Sequence, residues 1–229
     1  MIEAADAARG FVAGRTVLVA GATSTAGRAV SAALAGAGAR VIVVGSNAQR
    51  LSEVVDGVPG AIPFTCDLAD VVAVTDLAER VHADLGMIDG LIHLVGGWRG
   101  GGGLAGQSDE DWAFLHRNIV STLRNTTRSF NADLLASPAG RLAIVSSVSV
   151  EAPTPGGANY AAAKSAAETW TRAVGHGFAK AAPPSGQTAA TAIFVVRALD
   201  GLEPELADRV VALWDVPAAS VTNTRIPLG

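Results

Sequence analysis

Short apolar runs rich in β-branched residues alternate along the chain with longer stretches whose apolar positions recur at helical spacing. The short runs fall at residues 16–20, 41–44, 62–65, 91–95, 142–146, 191–196 and 221–226, and each reads as a strand. Between them the pattern predicts helices from the GATSTAG turn to about residue 35, and over 49–55, 71–85, 158–181 and 205–214. A further long helix begins near Asp109. Strands alternating with helices give an α/β fold class: a doubly wound parallel sheet of about seven strands, helices on both faces, joined by right-handed crossovers. No linker, repeat or shift in composition divides residues 1–229, so one domain is expected.

Composition supports that layout. Hydrophobic residues make up 49% of the chain and charged ones 17%, as suits a sheet covered on both sides. A formal net charge of -4 gives no electrostatic reason to expect nucleic acid or an anionic membrane. Cys66 is the only cysteine, which leaves no internal disulfide and no cysteine-based metal cluster. The opening MIEAADAARG lacks the basic-then-apolar layout of a signal peptide, and no apolar run approaches the roughly 18 residues of a membrane span. A soluble cytoplasmic protein is expected.

The first strand ends in Ala20-Gly21-Ala22-Thr23-Ser24-Thr25-Ala26-Gly27-Arg28 and runs directly into a helix. Small residues there let the backbone approach a pyrophosphate, and the helix amino terminus offers free N–H groups and a partial positive charge. The alternative is a tight strand-to-helix turn with no ligand. The end of the second strand, Val44-Gly45-Ser46-Asn47, has no carboxylate to bind the ribose 2′-hydroxyl of NAD. Ser46 and Asn47 can donate hydrogen bonds to a 2′-phosphate, which predicts a preference for NADP(H), with NAD(H) left open. Arg28, Arg40 and Arg50 are nearby cations, none at an obvious clamp position.

Tyr160, the only tyrosine, precedes Lys164 by four residues on a predicted helix, so both side chains share a face. An ammonium near a phenol lowers the phenol pKa and suits it to exchange protons near neutral pH. Such pairs also occur on ordinary helices. Ser147 lies just past the fifth strand, where open α/β sheets present their ligands, and its hydroxyl can orient a carbonyl. Ser146 and Ser149 are neighbours of the same type, and all three could instead satisfy backbone groups at a strand end.

With these residues in place the chain resembles the short-chain dehydrogenase/reductase family over about 200 residues. The resemblance rests on AGATSTAG, CDLAD, HLVGG, HRNIVST and the Ser…YxxxK set. It implies a Rossmann-like domain that binds a nicotinamide cofactor at Gly21, Thr23, Ser24, Thr25, Ala26, Gly27, Ser46, Asn47, Asp67, Leu68, Val95 and Gly96, with Tyr160 and Lys164. Tyr160 is then the general acid/base, Ser147 orients the carbonyl, Lys164 also holds the nicotinamide ribose, and Asn118 anchors a water that relays protons to Lys164. The implied reaction moves hydride between nicotinamide and a small carbonyl or alcohol substrate. The implied assembly is a homodimer or homotetramer packed through the long helices near Asp109 and Ala158.

The chain departs from the family pattern at binding elements. Thr25 replaces the middle glycine of the turn, His93 and Leu94 replace two asparagines, and FVVRALDG lacks the usual Pro-Gly and most of the substrate lid. Two other functions therefore stay open: a catalytically silent NADP(H)-binding scaffold or sensor, and a C=N reductase resembling dihydropteridine reductases. Trp98, in the glycine loop 96–106, either packs or walls a pocket for a flat or apolar substrate, with Ser149 a second candidate lining residue. The loop itself reads as a mobile connector or as a flap that orders over a ligand. Trp112, Trp170 and Trp214 are expected to pack. His82, His93, His116 and His176 show no metal-ligand spacing, and no metal site is expected.

Overall fold

A computed structural model describes residues 11–229; the opening MIEAADAARG segment, read as lacking a signal-peptide layout, lies outside the described residues. Seven strands form one parallel sheet in the order β3-β2-β1-β4-β5-β6-β7. They are β1 (Thr16–Ala20), β2 (Arg40–Gly45), β3 (Ile62–Thr65), β4 (Gly90–His93), β5 (Arg141–Ser147), β6 (Ala190–Val196) and β7 (Thr224–Pro227). The helices on the left half are α1 (Thr25–Gly36), α2 (Ala48–Gly57) and α3 (Val71–Leu85). On the right are α4 (Asp109–Leu115), α5 (Thr122–Ala136), α6 (Ala158–Lys180), α7 (Glu203–Val211) and the short α8 (Ala218–Val221). The expected doubly wound α/β sheet is therefore present. Its strand order reverses between β1 and β4, and the crevice at their carboxyl ends is where such sheets bind ligands.

Alternate residues of each central strand face opposite layers. Val17, Val19, Val41, Val43, Ala143 and Phe194 pack with Val30 and Leu34 of α1, Leu206 and Val210 of α7, and Trp214. Leu18, Ile42, Val44, Leu91 and Leu142 pack with Val74, Leu77 and Val81 of α3, Phe130 and Leu134 of α5, and Phe178 of α6. A third cluster joins Leu115, Ile119, Leu123, Ile144, Ala163, Ala167 and Ile193 directly beside the site. At the opposite end of the sheet Arg141 is buried and donates to the carbonyls of Leu213, Gly140, Thr188 and Val216, fastening the segment after α7 to the sheet floor.

Several boundaries differ from the sequence expectation, four of them with structural consequences. β4 stops at His93, opposite the last residue of β1, so Leu94 and Val95 lie beyond the strand at the crevice. Ser147 is the last residue of β5 rather than just past it. Residues 218–221 are helical, and a left-handed turn at Asn223 (φ 60°) delays β7 to Thr224. The helix expected from Asp109 is interrupted by a π-helical turn, His116–Ser121. There the Asn118 amide donates to the Phe114 carbonyl at 2.8 Å and the Thr122 hydroxyl to the Asn118 carbonyl at 2.6 Å, side-chain bonds that compete with the regular ladder. Trp170 and Trp214 pack as expected, whereas Trp112 is exposed and only tilts against His116. No helix among the described residues is long and apolar enough to cross a membrane.

Phe194, fully buried on β6, fills the layer between sheet, α1 and α7. Phe194→Ala is expected to lower unfolding free energy by about 3–5 kcal/mol, seen as a lower urea midpoint with unchanged slope; a loss under about 1 kcal/mol would contradict this packing.

Candidate active site

The turn after β1 is built by close approach. A Cβ on Gly21 (φ +83°) would stand 2.9 Å from the Leu94 carbonyl carbon, and one on Gly27 would stand 2.4 Å from the Gly21 oxygen. Both glycines are therefore required for α1 to begin where it does. Ser24 caps α1, its hydroxyl oxygen accepting from the Gly27 amide at 3.0 Å. Thr25 and Ala26 occupy the first two helical positions, whose amides have no partner within a helix and point out of its amino terminus. Such an end fits the pyrophosphate of a dinucleotide.

Two cavities flank this turn. The larger, about 520 Å³, is lined by Ser24, Val95, Gly96, Trp98, Ser147, Ser149, Tyr160 and Lys164, together with His93, Leu94 and the 196–199 segment. The smaller, about 150 Å³, is lined by Gly21, Thr23, Ser46, Asp67, Leu68, Val95 and Asn118, with Gly45, Cys66 and Thr122. Val95 borders both. The expected site residues are thus split: Ser147, Tyr160 and Lys164 share one chamber, and Asn118 lines the other. Asn47 is engaged elsewhere, its side chain accepting from the Arg50 amide to cap α2. Arg28 pairs with Glu53 at 2.7 Å and Asp67 with Arg117 at 2.5 Å.

Lys164 sits 7% exposed on α6 and donates to the Val145 carbonyl at 2.7 Å. Burial depresses its pKa to about 8, against the attraction of Glu168. His93 is 4% exposed, and its Nε2 has no hydrogen-bond partner. Burial and the Lys164 charge push its pKa down to about 3, so the ring is neutral. The sequence expectation for Tyr160 is corrected here. Burial raises its pKa, the Ser147 hydroxyl opposes that rise, and Lys164 contributes no resolved lowering. The ammonium lies 5.8 Å from the centre of the phenol ring and is spent on a backbone carbonyl. In the protein alone Tyr160 is a neutral phenol at pH 7.

A buried charge network supports this chamber from below, and sequence reasoning did not find it. Glu168, 1% exposed and one turn beyond Lys164, accepts from the Ser146 hydroxyl at 2.6 Å and from Arg172 at 3.0 Å. Arg225 of β7 lies 3.3 Å from the same carboxylate, pairs with Glu151, and reaches the Ser147 carbonyl at 3.5 Å. A carboxylate on an otherwise Ala-rich helix face, four residues from Lys164, was the available signal. Ser146 is thereby assigned to structure and Ser147 to the cavity. The Ser147 hydroxyl also accepts from the Ser149 amide at 3.1 Å, shaping the turn that follows β5.

The family profile described as short chain dehydrogenase matches residues 15–182. The chain belongs to the short-chain dehydrogenase family. Its similarity to curated members is distant: 28% identity over 168 residues to 2,3-dihydro-2,3-dihydroxybenzoate dehydrogenase of Bacillus subtilis (72% of this chain, 64% of that one). It is 29% identical over 168 residues to 3-oxoacyl-(acyl-carrier-protein) reductase of Thermotoga maritima (69% and 68%). A short chain dehydrogenase of Pseudocercospora fijiensis is 32% identical over 163 residues, with 69% of this chain and 53% of that one covered, so the chain spans under two thirds of the Bacillus and Pseudocercospora proteins. Among solved structures, an NADPH-bound short chain oxidoreductase of Pseudomonas aeruginosa, described as having an atypical catalytic center, superposes with TM-score 0.79 at 20% identity over 93% of this chain and 94% of that one. At that identity the likeness bears on fold.

The glycine loop of this chain is not loose. Gln107 donates to the carbonyls of Gly101, Gly103 and Gly156, and accepts from the Asn159 amide. Gly101 in turn donates to Gly156 at 2.8 Å. The loop is thus tied to the residues just before Tyr160, with Trp98 64% exposed at the cavity wall. Gln107→Ala is expected to raise amide exchange across residues 98–106 about tenfold, measured by hydrogen-exchange mass spectrometry. Unchanged exchange would mean that the loop holds itself.

Proposed function

We propose that this chain is a nicotinamide-dependent reductase of small carbonyl compounds, with NADP(H) preferred. The observation that carries the reading is the single cavity in which Ser147, Tyr160 and Lys164 meet next to the glycine turn. The turn's free helical amides and its two obligatory glycines fit a dinucleotide pyrophosphate. Thr23, Ser46, Asp67 and Leu68 border the chamber that would receive the adenosine side, and Val95 and Gly96 continue the path toward Lys164. Ser46 at the end of β2 offers a hydroxyl where an acid would select NAD(H), which supports the 2′-phosphate.

When bound, the dihydronicotinamide supplies the hydride. The chain's own residues then handle the oxygen. Ser147 donates to the substrate carbonyl, and Tyr160, neutral because it is buried, gives the proton that the developing alkoxide needs. Lys164 stays mostly charged at neutral pH and would hold the ribose, while the Ser147 hydroxyl favours the phenolate left behind. A protonated Tyr160 favours the reductive direction. Asn118 would supply a water to the chain behind Lys164 from its place in the π-helical turn. Two subunits would pair through α5 and α6, whose outer faces include Trp170 and Leu135.

The test separates an enzyme from a silent scaffold. Calorimetry should show NADPH binding at least about tenfold tighter than NADH, and Tyr160→Phe should keep that affinity while losing about 10²–10⁴-fold in carbonyl reduction. NADPH binding with turnover indifferent to Tyr160→Phe would overturn the catalytic assignment, and absence of nicotinamide binding would overturn the whole reading.

A further inference from the structure

The larger cavity carries more positive than negative character in a place the reductive chemistry does not use. Among the described residues no carboxylate lines it. Its cationic side chains are Lys164, buried and bonded to the Val145 carbonyl, and Arg197, exposed at the cavity mouth. His93 is neutral. The other arginines around the site are committed: Arg99 to Asp111, Arg117 to Asp67, and Arg225 to Glu151 and Glu168. Arg197 makes no ion pair with any described residue.

The sheet register fixes where the backbone of Arg197 stands. Val196 pairs with Ser147 across β5 and β6, so Arg197 follows the residue beside the catalytic serine, one strand spacing of about 4.8 Å away. Around it the walls are apolar: Trp98, Val196, Ala198 and Leu199. A planar guanidinium binds a planar carboxylate through two parallel hydrogen bonds, a geometry that an unpaired arginine at a cavity mouth is free to adopt. The short 197–202 connection places no lid helix over this cation, since α7 begins at Glu203.

We infer that Arg197 is the recognition residue for a carboxylate on the substrate, so that the carbonyl compound reduced at Ser147 and Tyr160 is an anion with its acid group a few bonds from the reacting carbon. This rests on the reductase reading above. Trp98 and Leu199 enclose the apolar part of the molecule, and Arg197 sets its orientation. The competing occupant is the cofactor's own pyrophosphate, because Ser24 borders the same cavity.

Weak ligands distinguish the two. With the protein saturated with NADP⁺, ligand-observed NMR would compare benzoate with benzamide, and levulinate with its methyl ester. The carboxylate of each pair should bind about tenfold tighter, and Arg197→Gln should erase the difference while the NADP⁺ dissociation constant stays within about twofold. Arg197→Lys should keep part of the preference, since charge remains and the planar fork is lost. Equal affinity within both pairs, or a preference that survives Arg197→Gln, overturns the inference. A rise of about tenfold in the NADP⁺ constant for Arg197→Gln also overturns it, assigning the residue to the pyrophosphate. Failure of the unaltered protein to bind NADP⁺ defeats the functional reading first.

Discussion

A lysine ammonium held almost out of water is the constraint around which this site is arranged. Removing a charge from solvent is costly, and the chain offsets that cost with one short bond to the Val145 carbonyl and with the Glu168 carboxylate one helical turn away. The consequences spread through the neighbourhood. His93 is held neutral by its own burial and, secondarily, by the same ammonium. Glu168, itself buried, needs Arg172, Arg225 and the Ser146 hydroxyl. Lys164 has a pKa of about 8 folded and 10.5 ordinarily, so the unfolded chain holds the extra proton between those values. The burden on folding is full below about pH 8 and is relieved as pH rises through that window.

This arrangement explains why β7, an edge strand far from the glycine turn, belongs to the site. Arg225 ties β7 to Glu168 and to the backbone of Ser147, so the last strand holds the serine against α6. On the other side, Gln107 ties the glycine loop to the start of α6 just before Tyr160. The helix bearing Tyr160 and Lys164 is thereby gripped from both ends of the cavity. Rigid supports of this kind keep catalytic groups in place without a large lid. The reduced connection between β6 and α7 leaves Arg197 and Leu199 as the outer wall.

Most of the fold could be read directly from the sequence. Residues 16–20, 62–65 and 71–85 were bounded correctly because their patterns end at glycine, aspartate or a polar break that also ends the structure. The tail was not legible: 218–221 contains Val221 but follows Pro217, and a left-handed Asn223 postpones the strand. For the site, spacing gave Tyr160 and Lys164 a shared helix face, the strand end gave Ser147, and the family resemblance joined the three. Spacing misjudged the Tyr160 proton, because a four-residue spacing fixes a shared face and says nothing about burial or about what else the ammonium bonds. Asn118 was found through resemblance, yet its π-helical turn depends on side-chain bonds that no periodicity reveals. Glu168 and Arg225 are 57 residues apart and meet only once the sheet is built.

Lys164 and Lys180 are the only lysines in the chain, so a protein labelled with ¹³C at lysine Cε gives two signals, which a Lys180→Arg variant assigns. The decisive measurement is the pH titration of the Lys164 signal in the protein without cofactor. A midpoint near 8 is predicted, against about 10.4 for a lysine in water. A Lys164 midpoint at or above about 10 would contradict the buried ammonium, and with it the charge network built around it.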